Sequence, residues 1–176
     1  MAAERGGIYE LNDLERTLGR IVLGYRGVVV AWVVLLVLVA GTGDSSEFAR
    51  PWVPWTEVGV IVVWFAFTVW LWGRIGEPLT SWWFLALDVA IAVGVLMSSW
   101  IAGAQNVPLA GGYPLSAVAL AVFAVGGRGA LVSAGFLLGA ALVRRVVLLN
   151  DSSAAGLISD VASWVFPAIL FAWATG

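Results

Sequence analysis

Cysteine and histidine are both absent from this 176-residue chain. Their absence excludes disulfides, structural zinc sites, thiolate chemistry, axial haem histidines and every Ser–His or Cys–His catalytic pairing. Lysine is absent too, since all nine basic residues are Arg, which reads as GC-rich coding and not as a mechanism. Charge of either sign is scarce: 11% of residues are charged, where a soluble domain carries about a quarter. No Gly-rich phosphate loop or nucleotide-binding motif is present, and the Arg residues are too few and too scattered for a nucleic-acid surface. What the chain has instead is apolar residues, 61% of the total, with a mean hydropathy of +0.98. A soluble fold of this size could not hide so much apolar surface, so the expected class is an all-α polytopic membrane helix bundle.

Hydrophobic runs order the chain. Leu11, Leu14, Leu18, Ile21, Val22 and Tyr25 recur at helical spacing, with Asn12, Asp13, Glu15, Arg16, Thr17 and Arg20 between them. This pattern predicts an amphipathic helix over residues 1–26, lying on the cytoplasmic leaflet or standing as a short solvated helix. Its charges speak against a cleaved signal peptide. Six transmembrane helices are then expected within 27–176: Gly27–Gly43, Trp55–Gly73, Ser81–Ile101, Pro114–Val125, Ala130–Leu149 and Ala154–Thr175. Arg26, at the edge of the first, is expected to snorkel toward the headgroups. The fourth run is short against the ~20 residues that cross a hydrocarbon core, and a re-entrant segment is its alternative. Gly- and Pro-bearing stretches between the runs read as loops.

Arg placement sets the orientation. With the N-terminus inside, Arg5, Arg16, Arg20, Arg26, Arg74 and Arg128 are cytoplasmic, and Arg50, Arg144 and Arg145 are outside. The expected location is the plasma membrane, multi-pass, with both termini cytoplasmic. Arg144 and Arg145 argue against this, and a re-entrant fourth run would move them inside and the C-terminus outside. Trp52, Trp55 and Trp100 fall at outer boundaries and Trp72, Trp82 and Trp83 at inner ones, as indole rings favour the headgroup level. Trp32, Trp64 and Trp70 lie within spans, where packing or lipid contact is the ordinary reading.

The residues that could carry chemistry are few. Asp88 and Asp160 are intramembrane carboxylates, which usually face a bundle interior or a water-filled cavity. Each is either a proton, ion or ligand contact or a buried hydrogen-bond partner for Ser, Thr, Trp or Arg. The topology places them at different depths, which weakens a paired acid–base role and a metal site. Glu57 opens the second span, where it either pairs with Arg50 or lines an outer ligand pocket with Trp52 and Trp55. Gly135 and Gly139, extended by Ser133, form a small-residue motif for internal packing or a dimer seam. Pro167 is expected to kink or hinge the sixth span. No catalytic set, metal site or cofactor is expected in the chain.

The stretch LERTLGRIVLGYRG leading into the first span, and PLSAVALAVFAVGGRGALVSAGFLLGAALV with its G-x-R-G turn, resemble the N-terminal membrane sensor region of MacS-like sensor histidine kinases of actinobacteria. The resemblance implies a signal-input and dimerisation domain, a homodimer, and a kinase module and response regulator as partners beyond Gly176. No phosphoacceptor His or ATP-binding segment is carried over, because none is present, and whether the chain is itself part of an enzyme stays open. The lipid bilayer is its surroundings and a lipophilic molecule its conceivable ligand. The alternative is a small transporter or channel subunit using Asp88 and Asp160; a membrane-embedded enzyme has the fewest residues to support it.

Overall fold

The structure, a computed structural model, describes the backbone of residues 2–41, 48, 50, 52–75, 81–102, 112–148 and 153–175. Within these segments the side chains of residues 2–16, 18, 75, 99, 100, 102, 147, 148, 157, 160, 164, 171, 172, 174 and 175 lie outside the description. Among the described residues six α-helices follow one another: α1 (Ala2–Gly41), α2 (Trp52–Ile75), α3 (Trp82–Ala102), α4 (Tyr113–Val125), α5 (Gly127–Val143) and α6 (Ala154–Thr175). Among the described residues there is no strand. A π-helical turn, Arg144–Leu148, extends α5.

Among the described residues three helical stretches are long and apolar enough to cross a membrane: Gly19–Gly41, Trp52–Arg74 and Gly127–Val146. The apolar parts of α3, α4 and α6 are shorter. Large apolar side chains face outward along the bundle, among them Val28, Val63, Trp82, Phe136, Ile158, Phe166 and Trp173. An apolar exterior of this extent suits contact with lipid.

The helix boundaries have local causes. α2 begins three residues before its sequence-based start, since Val53 N–H donates to Arg50 C=O and the Thr56 hydroxyl donates to Trp52 C=O at 2.8 Å. Pro54 falls in the first turn, where its missing N–H is no loss. α1 shows no break between its amphipathic residues and its apolar residues. At 1.5 Å per residue its 40 residues make a rod of about 60 Å.

α4 is the shortest helix and the most enclosed. Its 13 residues reach about 20 Å, short of the ~30 Å hydrocarbon core. Tyr113, Pro114, Ser116, Ala117, Val118, Leu120, Ala121 and Val122 are all buried, and α4 packs against α1, α3, α5 and α6. Its entrance, Gly112, lies against Val29 and Tyr25 of α1. Near its far end the Phe123 ring lies 5.9 Å from that of Trp72 in α2, and the same Trp72 covers Gly19 of α1. α4 therefore fills only the half of the bundle flanked by residues 19–29 of α1 and 64–72 of α2. The main core follows this arrangement, with Val29, Val30 and Val33 of α1, Ile61 and Trp64 of α2, Phe84 of α3, and Ala117, Val118 and Leu120 of α4. A smaller cluster of Val37, Phe48 and Val53 closes the other end.

The turn from α4 to α5 depends on two glycines of the G-x-R-G stretch. Gly126 has φ +76° and ψ −163°, a region open essentially to Gly alone. At Gly129 a Cβ would sit 2.6 Å from the Ala121 carbonyl oxygen, so only hydrogen there lets the two helices close up.

Candidate functional site

Among the described residues, buried charged groups lie at two places in the bundle. The first joins four helices. Arg26 of α1 is fully buried and pairs with Asp88 of α3, which is 1% exposed. The same Asp88 oxygen, Oδ1, accepts the indole N–H of Trp64 from α2 at 2.6 Å. Arg26 Nη2 also donates to the Tyr113 hydroxyl at the start of α4, at 3.0 Å, and its guanidinium lies 5.4 Å from the Tyr113 ring centre. Trp64 is held in turn by stacking on Phe84, with ring centres 4.8 Å apart. Arg26 lies about 10 Å along α1 from Gly19, and Asp88 about 9 Å along α3 from Trp82, so the pair sits well inside the apolar length of both helices.

Two full charges at such a position are costly to desolvate and are tolerated together because each neutralises the other. Arg26 accordingly turns into the bundle and does not snorkel: Asp88 within reach offers more than the distant headgroups. Asp88 takes the buried-partner role, with both Arg and Trp as donors. Asp88 Oδ2 and the Nε and Nη1 of Arg26 remain without hydrogen-bond partners.

The second position is a crevice of about 260 Å³ between the Trp52 end of α2 and the Ile101 end of α3. Glu57 lines it and is 6% exposed. Ser98 Oγ lies 2.6 Å from Glu57 Oε2 and 2.8 Å from the Val95 carbonyl oxygen, with one hydroxyl proton to serve both acceptors. Glu57 Oε1 has no partner, and no described basic side chain forms an ion pair with Glu57; its sequence-based partner Arg50 is exposed. Trp52 lines the crevice, whereas Trp55 lies beside Gly41 of α1 instead. Glu57 and Trp64 are seven residues apart, as are Asp88 and Val95. The crevice therefore stands about two helical turns from the Arg26–Asp88 junction, on the same helix pair.

The remaining candidates are placed separately. Gly135 and Gly139 are exposed, and a Cβ added at either would meet nothing within 4 Å. Helix packing on α5 is carried by Ala130, Ser133, Ala134, Leu137, Ala140 and Ala141 instead. Pro167 lies inside α6. Asp160 is on α6, with its side chain outside the described residues. A wider groove of about 570 Å³ runs between α3 and α5, with Arg128 and Ser133 as its polar lining. Among the described residues no three His, Cys, Asp or Glu side chains come together as a metal site.

Sequence reasoning missed three members of these sites. Tyr113 falls in the loop before the fourth run, Trp64 reads as a packing or lipid-contact residue, and Ser98 is not singled out by its sequence. The available signal was charge: an Asp inside one apolar run calls for a partner, and an Arg at the edge of another can supply it. Comparison with protein families, with curated proteins and with solved structures finds no match to this chain.

Proposed function

We propose that the chain is a membrane-embedded signal-input and dimerisation domain of a two-component histidine kinase, crossing the membrane six times with both termini in the cytoplasm. The observation that supports this reading best is the Arg26–Asp88 junction, where one ion pair with Trp64 and Tyr113 ties α1, α2, α3 and α4 together. A signal domain needs two arrangements of its helices that a stimulus distinguishes. A buried polar junction with spare donors and acceptors suits that need, because its groups can re-pair when helices shift while an apolar core only slides. A crevice two turns away on α2 and α3 gives a stimulus somewhere to act. The open Gly135–Gly139 face of α5 suits a seam with a second copy, and Pro167 gives α6 a point at which to bend. The kinase module and response regulator would be the partners.

The test joins a topology reporter to the C-terminus and, separately, a cytoplasmic kinase module. The expected result is a cytoplasmic reporter and a kinase output that changes in Asp88→Asn. An external C-terminus removes the kinase reading. The burial of Asp88 also suits a transporter, and ion flux in liposomes that is lost in folded Asp88→Asn would establish that reading in place of the first.

A further inference from the structure

We infer that the crevice between α2 and α3 is a binding site for a lipophilic cation, an apolar body carrying one ammonium-type head. The inference deepens the signal-input reading and rests on it only for what binding accomplishes. Glu57 carries the argument. It is a carboxyl group buried among apolar side chains, with its one hydrogen bond to Ser98 and its second oxygen unmatched. Asp88, at a comparable burial, has Arg26 as its counter-charge; Glu57 has no described counterpart. In its ionised form such a carboxyl group needs a counter-charge, and a cation brought from outside the chain supplies it.

The surroundings fix the rest of the ligand. Val60, Ile91 and Ile101 wall the crevice with hydrocarbon, so methylene or ring groups displace nothing that they cannot replace. Trp52, at the same opening, presents an exposed indole. A carboxylate and an indole face together select a cation, which is attracted to both. A fatty acid is disfavoured because its own carboxylate would face Glu57, and a neutral alcohol gains one hydrogen bond without the charge. Gly94 keeps the space open: a Cβ there meets no atom within 4 Å, and it lines the crevice.

The chain in phosphatidylcholine nanodiscs, titrated with tritiated n-decylammonium against empty nanodiscs, tests this directly. Saturable binding of one molecule per chain is expected. Glu57→Gln should weaken it about tenfold, the equivalent of one charge-assisted hydrogen bond. Gly94→Leu fills the crevice while improving helix propensity, and should abolish binding with the melting temperature unchanged. n-Decanol should bind about tenfold more weakly than the ammonium. Decanol binding as tightly as decylammonium, or undiminished binding in folded Glu57→Gln, overturns the inference. If Glu57→Gln does not fold, undiminished binding in Gly94→Leu overturns it alone. Binding that leaves the output of the joined kinase module unchanged would instead count against the signal-input reading.

Discussion

Cutting the Arg26–Asp88 pair from either side should destabilise the bundle far more than removing it whole. Arg26 is fully buried and Asp88 is 1% exposed, so neither charge can turn to water when its partner is lost. Breaking a buried pair by removing one member costs about 3–5 kcal/mol, whereas replacing both members with apolar groups is often neutral. Asp88→Leu takes the acceptor from Trp64 and leaves Arg26 unopposed. Arg26→Met leaves Asp88 with Trp64 alone and also takes the 3.0 Å donor from Tyr113. Each single change should therefore lower stability by about 3 kcal/mol or more, a large share of the 5–15 kcal/mol that holds a typical protein folded. The double change Arg26→Met/Asp88→Leu should cost less than either single one. The assay is reversible unfolding in mixed dodecylmaltoside and dodecyl sulfate micelles, followed by far-UV circular dichroism. The cycle of Arg26→Met, Asp88→Leu and their double should close with a coupling energy of about 3 kcal/mol or more. Single changes within 1 kcal/mol of wild type, or a double change equal to the sum of the singles, would refute the argument that the two charges stand or fall together.

Other outcomes follow from the same geometry. Tyr113→Phe removes one hydrogen bond to Arg26 and should cost about 1–2 kcal/mol in the same unfolding assay. Gly126→Ala should cost about 1–3 kcal/mol, because its backbone conformation excludes a side chain. Gly129→Ala should cost about 1–3 kcal/mol through overlap with the Ala121 carbonyl. Gly135→Ala, on an open helix face, should be neutral or stabilising by up to about 1 kcal/mol. If the same face is a dimer seam, Gly135→Leu should abolish cross-linking between copies without lowering the melting temperature of the single chain.

Much of the architecture was legible because hydrophobic runs report helices directly. The sixth run matches α6 at both ends, and the second and third match α2 and α3 to within three residues. The G-x-R-G stretch announced the α4–α5 turn, since few residues other than Gly tolerate such a backbone. The short fourth run was visible as short, but not as central: hydropathy records how apolar a segment is, not which neighbours enclose it. The junction was half legible. Asp88 stood out as an acid in an apolar run, whereas Arg26 sat near enough to a span edge for snorkelling to be the simpler expectation. Only the distance between α1 and α3 decides between the two, and spacing along the chain does not contain it. Tyr113 and Ser98 carry no charge, the one beside Gly112 and Pro114 and the other in a Ser–Ser pair, so nothing in the sequence singled them out. Gly135 and Gly139 show the converse, a recognisable motif whose internal neighbours are absent among the described residues.

The uninterrupted length of α1 gives the chain a lever. Arg26 stands 24 residues from Ala2, about 36 Å along a single rod. A tilt of roughly 5° about that anchor sweeps the far end through about 3 Å, a displacement comparable to those that switch packed helices between states. A shift at that one ion pair would thereby reach, enlarged, a stretch rich in Glu and Arg.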